Sequence, residues 1–258
     1  MIDYYRNGCG GMKILKKVCY YIVFLAACVV FLYSGYQLYL IYSQNFQESK
    51  ELKEWKEISK VDETSNDSIQ LDWKALKEKN SDIQAWIQIP DTEISYPVVQ
   101  GNDNAFYLTH TADKVENYVG AIFMDYRQKP NFEEKNTMIY GHNVLHGSMF
   151  ADIEKFKDET FFKNHPYIYI YTPDKNYKAE VFSIYTTQDT SSSYDLFYQS
   201  DDEYAHYLQM VQEQSDFTRE IRIGANDHIV SLSTCSYERN GQASELRYVL
   251  HAKLEELK

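Results

Sequence analysis

The chain has 258 residues and a formal net charge of -12, with only ten glycines and five prolines. This acidic balance argues against nucleic acid as a partner, because no stripe of lysine and arginine is present to neutralise phosphates. Aromatic residues make up 16% of the chain and include 24 tyrosines. That content suits a β-rich domain better than a disordered chain.

Near the N-terminus, residues 18–42 carry no charged side chain and are mostly apolar. A membrane-spanning helix needs roughly 20 such residues, whereas the apolar core of a cleaved signal peptide is about 7–15 residues long. By the positive-inside rule we predict a cytoplasmic segment at 1–17, one transmembrane helix at 18–42 and an extracellular remainder. The basic residues before the span are Arg6, Lys13, Lys16 and Lys17.

After the span, residues 43–70 become polar and charged, with a weak helical stripe formed by Leu52, Trp55 and Ile58. This composition predicts a juxtamembrane helix that leads into a polar linker around 62–66.

The remainder, 71–258, is predicted to be one mainly β domain. Asp72 is placed to cap a short helix at 73–79. Eight short segments separated by turns predict a closed or nearly closed barrel, and a helix at 201–211 interrupts them. Such an inserted helix often walls a binding groove. The predicted strands are 85–89, 94–99, 121–125, 137–140, 167–172, 178–185, 228–234 and 246–254.

Cys235 is the only cysteine outside the N-terminal region, which holds Cys9, Cys19 and Cys28. A lone thiol forms no disulfide within its own domain. Most such cysteines are buried and inert, but a lone cysteine with histidine partners elsewhere is the pattern of a nucleophile.

Two more residues could take part in catalysis with Cys235, one just after a predicted strand and one on the strand next to that of Cys235. His142 leaves the strand 137–140 through a glycine, and Arg247 lies on the strand predicted to form a hairpin with that of Cys235. Because side chains alternate along a strand, an inward apolar set would leave Cys235 and Arg247 together on the outer wall. A thiolate can attack a carbonyl, an imidazole can move protons, and a guanidinium can stabilise the oxyanion.

The other histidines are not expected to take part. His228 opens the Cys235 strand, too far along it for contact. The rest are predicted to lie in loops, on the inserted helix or on strand surfaces: His110, His146, His165, His206 and His251.

The segments Ile-Tyr-Gly-His-Asn at 139–143 and Leu-Ser-Thr-Cys at 232–235, followed by Arg247, resemble those of sortases. Over roughly 71–254 the chain is similar to class B sortases. The resemblance implies a closed eight-stranded sortase-type β-barrel with an N-terminal helix and a helix inserted before the catalytic cysteine strand. The Asp-Pro-aromatic lid of the pilin-polymerising class is missing at Asp72-Trp73, and the chain stops at Lys258 without the second span common in that class.

That resemblance implies a cysteine transpeptidase of the Gram-positive cell surface that cleaves an Asn-Pro-x-Thr-x-like C-terminal sorting signal after Thr. The protein would be held as a thioacyl-enzyme on Cys235 and released to an amine of a peptidoglycan cross-bridge or its lipid-linked precursor. His142, Cys235 and Arg247 would be catalytic. No cofactor and no metal are expected. Matching motif positions suggest further contacts with the substrate at Leu108, Tyr140, Thr190, Tyr194, Ser233 and Thr234.

Three alternatives remain open at this point. A membrane-tethered cysteine peptidase would use the same residues and release its product to water. A non-catalytic surface adaptor would keep the fold without needing Cys235. A pilin-polymerising sortase would transfer its substrate to another protein.

Overall fold

The computed structural model describes residues 8–59, 71–238 and 244–257, so the polar linker predicted around 62–66 lies outside the described residues. The chain divides into two compact units, Met1–Gln47 and Glu48–Lys258. Helix α1, Gly8–Ser59, includes residues of both units.

The first unit is formed by the apolar part of α1. Its side chains are exposed, with Ile22, Leu25 and Val30 each more than 60% accessible. Within the described part of the chain, α1 is the one helix long and apolar enough to cross a membrane. A continuous exposed apolar surface is unfavourable in water and favourable in lipid, so the helix meets the length and composition requirements of a span.

The second unit contains a closed barrel with the strand order β1-β2-β3-β4-β7-β8-β6-β5. All eight predicted strands are confirmed. Strands β6 and β8 run past their predicted ends because they pair with each other along almost their whole length. The bounds are β1 Ile83–Gln88, β2 Ser95–Val99, β3 Ile122–Met124, β4 Asn136–Tyr140, β5 Tyr167–Tyr171, β6 Asn176–Gln188, β7 Ile229–Cys235 and β8 Leu246–Glu256.

Two strand pairs in the barrel are parallel, β2 with β3 and β4 with β7, and the others are antiparallel. The pairing of β4 with β7 joins strands that are far apart in the chain. Because parallel strands point the same way, their carboxyl ends meet at one edge of the barrel. The carboxyl ends of β4 and β7, at Tyr140 and Cys235, therefore lie at the same edge.

Among the described residues of this unit, three further α-helices are present: α2 Trp73–Lys79, α3 Glu159–Asn164 and α4 Asp201–Glu213. The predicted cap of α2 is confirmed, since the Asp72 carboxylate accepts a hydrogen bond from the backbone N–H of Ala75. The inserted helix is also confirmed as α4, which begins after Ser200 as its cap. It covers the outer face of the barrel through a cluster of Phe182, Tyr185, Tyr204, Tyr207, Leu208, Val211, Ile229 and Val249.

The predicted inward and outward faces of β7 and β8 are confirmed. Val230, Leu232, Tyr248 and Leu250 belong to the main core. The outward face differs from expectation at His251, which is fully buried and not on a strand surface. The reason is that α4 covers this part of the wall and turns an outward face into a second interior.

The second compact unit begins at Glu48 and so includes the last turns of α1. Trp55, on the last turns of α1, is only 2% exposed and belongs to a core cluster with Leu76 and Trp86. The Lys79 ammonium lies 4.3 Å from the centre of the indole ring. The polar composition of this segment reflects the opposite, exposed face of the helix.

Trp55→Ala is therefore expected to destabilise the barrel unit, although the residue precedes the region that resembles sortases. Deleting a fully buried tryptophan side chain costs about 3–5 kcal/mol of unfolding free energy. Thermal or denaturant unfolding of the full chain in detergent measures the loss. Lys53→Ala, on the exposed face of the same helix, is the matched control and should stay within about 0.5 kcal/mol of wild type. Equal stability of the two variants would show that Trp55 contributes no packing.

Candidate active site

The parallel register of β4 and β7 brings the two motifs of the sequence together. Tyr140 lies opposite Ser233, and the backbone N–H of Gly141 donates to the Ser233 carbonyl at 3.2 Å. His142 follows Tyr140 by two residues, and Cys235 follows Ser233 by two. Both residues therefore leave the same barrel edge at the same level.

Arg247 joins this edge through the other neighbour of β7. Cys235 and Arg247 are directly opposite each other in the antiparallel register of β7 with β8. The guanidinium is held at one end by the Asp189 carboxylate at 3.0 Å, and it also donates to the Ser244 and Leu246 carbonyls at 2.6 and 3.0 Å. These fixed contacts orient the planar fork beside the thiol strand.

The loop that carries His142 is tied to the cysteine strand. The side chain of Asn143 donates to the Cys235 carbonyl at 3.0 Å, and the Tyr237 hydroxyl donates to the Asn143 carbonyl at 2.8 Å. The backbone N–H of Phe150 donates to the His142 carbonyl at 2.9 Å. The backbone that carries His142 is thus tied by direct hydrogen bonds to the segment that carries Cys235.

The imidazole itself contacts the Leu108 carbonyl through Nε2 at 2.8 Å. A carbonyl only accepts, so Nε2 must carry a proton and Nδ1 is the nitrogen that can take one up. Gly120 lies beneath this contact with φ +65, and a Cβ there would come within 2.8 Å of the Leu108 oxygen and 3.1 Å of the His142 ring. Only glycine allows the histidine to sit this close to the backbone.

Tyr140 is held by a buried carboxylate that the sequence reading missed. Asp125 is fully buried and accepts from the Tyr140 hydroxyl at 2.9 Å, from Asn104 at 2.9 Å and from two guanidinium nitrogens of Arg127 at 2.8 Å each. Burial alone would raise the pKa of Asp125, but these hydrogen bonds outweigh it and hold the pKa below its usual range. The Asp-x-Arg spacing at 125–127 could have indicated this carboxylate, because it places a guanidinium two residues from the aspartate.

Three of the residues suggested as substrate contacts form one wall beside Cys235. The Tyr194 hydroxyl and the Ser233 hydroxyl share a hydrogen bond of 2.8 Å. The rings of Tyr140 and Tyr194 are nearly parallel, with centroids 6.5 Å apart. Burial raises the pKa of Tyr194, so the phenol stays neutral and can donate.

The other suggested contacts lie in different surroundings. Leu108 is 40% exposed next to His142, and Thr190 is exposed in the turn that follows β6. Thr234 is 2% exposed and pairs with the inward residue Tyr248, so its side chain faces the barrel interior and only its backbone borders the groove. Asp189 was not suggested by any sequence signal, because only the β6–β8 register brings it to Arg247.

A thiol, an imidazole and a guanidinium at one barrel edge are the groups that a cysteine transpeptidase needs. A family model described as the sortase domain matches residues 87–255, more than half of the chain. Sortase B of Listeria monocytogenes is 34% identical over 228 residues, covering 87% of this chain and 92% of that protein.

Two solved structures agree with this match over nearly their whole length. Sortase B from B. anthracis in complex with AAEK1 has a TM-score of 0.73 and 36% identity, covering 84% of this chain and 100% of that one. A Staphylococcus aureus sortase B–substrate complex has a TM-score of 0.74 and 26% identity over the same shares. The chain belongs to the sortase family, and within it to class B, a class of cysteine transpeptidases.

Asp125→Asn should lower the unfolding free energy by about 2–3 kcal/mol at pH 7, because it removes a buried charge from several donors. An unfolded aspartate has a pKa of about 3.9, and the folded pKa lies below it. The stabilisation is therefore present above about pH 4 and is lost as the pH falls through the folded value. Denaturant unfolding of both proteins from pH 7 to pH 2.5 measures this.

In that comparison, the stability difference between wild type and Asp125→Asn should shrink at low pH. The exposed Asp174→Asn is the matched control and should show no such difference. A difference for Asp125→Asn that stays constant across the pH range would contradict a role for the ionised carboxylate.

Proposed function

We propose that this class B sortase is membrane-anchored, cleaves a C-terminal sorting signal after Thr, and transfers the carboxyl end to a peptidoglycan amine. The observation that carries the proposal is the meeting of Cys235 and Arg247 in register at the edge where His142 emerges. The signal would be Asn-Pro-x-Thr-x-like, by resemblance to class B enzymes. The amine would come from a cell-wall cross-bridge or its lipid-linked precursor.

In the first half of the reaction, the Cys235 sulfur attacks the carbonyl carbon of the scissile bond after Thr. The thiol proton is taken by His142, and the carbonyl oxygen becomes an oxyanion next to Arg247. Collapse of this intermediate breaks the C–N bond and leaves a thioester. His142 returns the proton to the leaving amine.

In the second half, the acceptor amine attacks the thioester and gives its proton to His142. The C–S bond breaks, an amide is formed, and the departing Cys235 thiolate takes the proton from His142, which restores the starting enzyme. No cofactor enters either half, because every proton and electron pair is accounted for by the three side chains and the two amines.

The groove wall is proposed to recognise the sorting signal. Tyr140, Tyr194 and Ser233 offer aromatic surface and hydroxyls beside Cys235. Leu108 and Thr190 would border the peptide at the two ends of the groove, and Thr234 would contribute backbone. One related structure is a sortase B–substrate complex, which favours a peptide occupant for this groove.

The apolar part of α1 is proposed as the single-pass anchor. It has the length of a span, and basic residues precede it. The N-terminus would then be cytoplasmic and the barrel extracellular, where sorting signals and peptidoglycan amines are found together.

The three alternative functions are separated by one experiment. The full chain in detergent is incubated with a panel of sorting peptides alone, with an added small amine, or with a lysine-bearing protein, and the products are identified by mass spectrometry. A transpeptidase gives the amine adduct, a peptidase gives only the hydrolysed acid, and an adaptor gives neither. A pilin-polymerising enzyme would require a lysine-bearing protein as acceptor and leave small amines unused.

Cys235→Ala is expected to abolish cleavage while leaving the fold intact, since the thiol borders a groove. Cys235→Ser should also be nearly inactive, because a hydroxyl is far harder to deprotonate than a thiol. Peptide cleavage is measured together with the circular dichroism spectrum. Thr234→Ser, the inward neighbour, is the control and should keep activity. Cleavage by Cys235→Ala at the wild-type rate would rule out Cys235 as the nucleophile.

His142 and Arg247 are expected to fail in different ways. His142→Ala removes the proton carrier and should block both acylation and leaving-group protonation. Arg247→Ala removes an oxyanion donor, which typically costs about 10²–10³ in rate. Arg247→Lys keeps the charge but loses the planar fork and should restore activity only partly. A fully active Arg247→Ala enzyme would leave a cysteine–histidine pair as the whole machinery.

A further inference from the structure

A closed ring of hydrogen bonds lies between α4 and the outer wall of the barrel, behind the proposed groove. Each of its six side chains is no more than 5% exposed. Together they come from β4, β6, β7, β8, α4 and the short 3-10 turn Ser192–Tyr194. The members are Asn136, Tyr185, Ser193, Tyr207, Ser231 and His251.

The ring begins and ends at the same residue. The Ser193 hydroxyl is 2.8 Å from the Tyr185 hydroxyl, which is 3.0 Å from Nε2 of His251. On the other side, Nδ1 of His251 is 2.7 Å from the Ser231 hydroxyl, which donates to Oδ1 of Asn136 at 2.7 Å. The Asn136 amide donates to the Tyr207 hydroxyl at 3.0 Å, and this hydroxyl donates to the Ser193 carbonyl at 3.0 Å.

Burial lowers the pKa of His251 to about 3, so the imidazole is neutral at pH 7. Two donors in the ring are fixed: the Tyr185 hydroxyl donates to the Ser193 hydroxyl, and the Ser231 hydroxyl donates to Oδ1 of Asn136. Both nitrogens of the His251 ring lie within hydrogen-bond distance of a hydroxyl, Nε2 of Tyr185 and Nδ1 of Ser231.

The ring fixes the residue that precedes a groove tyrosine. Ser193 is held at both its hydroxyl and its carbonyl, and Tyr194 follows it directly. The Tyr194 hydroxyl bonds Ser233. Ser231, Ser233 and Cys235 lie on the same outward face of β7, at intervals of two residues. Ser231, a member of the ring, therefore lies on the same face of β7 as Cys235, two residues before Ser233, the partner of Tyr194.

We propose that this ring is a positioning device for the sorting signal, and that it sets Tyr194 against Ser233 beside Cys235. This inference rests on the proposed function of the groove. Six buried polar groups with directional bonds constrain a turn more sharply than apolar packing, which tolerates slippage. Tyr185, Tyr207, Ser231 and His251 act through Tyr194 and do not touch the substrate themselves.

Tyr207→Phe tests the proposal, with Tyr204→Phe as the matched control. Both residues lie on α4, and each donates a hydroxyl hydrogen bond to a backbone carbonyl: Tyr207 to Ser193 and Tyr204 to Lys135 at 2.7 Å. We expect Tyr207→Phe to raise KM for the sorting peptide about tenfold, with a smaller change in kcat. Tyr204→Phe should lower the melting temperature similarly and leave KM unchanged.

Two further readouts separate positioning from general stability. Alkylation of Cys235 by iodoacetamide should proceed at the wild-type rate in Tyr207→Phe, because the thiol itself is not disturbed. Combining Tyr207→Phe with Tyr194→Phe should raise KM no further than Tyr194→Phe alone, since both changes remove the same contact. Additive effects on KM would contradict the proposed route through Tyr194.

The outcomes are distinct from a failure of the proposed function. If the wild-type chain cleaves no peptide in the panel, the proposed function is overturned and the ring's role falls with it. If the wild type cleaves and both Tyr207→Phe and Tyr204→Phe keep the wild-type KM, only the ring's role is overturned. Should Tyr207→Phe not fold, Ser231→Ala breaks the ring with a smaller change in volume and is expected to raise KM in the same way.

Discussion

The parallel pairing of β4 with β7 is the constraint on which the rest of the site depends. It places Tyr140 beside Ser233. Two residues further along each chain segment, His142 and Cys235 therefore lie at the same edge of the barrel. An antiparallel pairing would send the two strand ends to opposite rims of the barrel. The Asn143 side-chain amide donates to the Cys235 carbonyl, so the two segments stay paired just beyond the ends of β4 and β7.

At that edge, Tyr140, Arg247 and His142 are each held by a hydrogen bond to a residue that has no proposed part in the bond-making steps. Asp125 holds Tyr140, Asp189 holds Arg247, and the Leu108 carbonyl holds His142. Each of these contacts joins segments that are distant in the chain. Preorganised groups of this kind lose little freedom when a peptide arrives, which is how a site on a rigid barrel favours one reaction geometry.

Much of this fold could be predicted from the sequence, because buried and exposed positions alternate along a strand and apolar and polar residues follow that alternation. The alternation of Val230 and Leu232 with serines gave the inward face of β7, and with it the outward position of Cys235. The same logic failed at His251, because an outward polar position under α4 has the same pattern as one in solvent. The stripe of Leu52, Trp55 and Ile58 predicted a helix, and Trp55 on that stripe is buried in a core cluster. Asp189 left no local trace, because only the register of two long strands brings it into the site.

The proposed mechanism requires Cys235 to carry the substrate as a thioester at this edge. Intact mass spectrometry of the full chain, quenched in acid soon after mixing with an Asn-Pro-x-Thr-x peptide and no amine, tests this requirement directly. We expect an adduct with the mass of the peptide up to Thr, mapped by digestion to Cys235 and released by hydroxylamine. An enzyme that cleaves the peptide while no adduct forms on Cys235, or while the adduct maps to another residue, would contradict it.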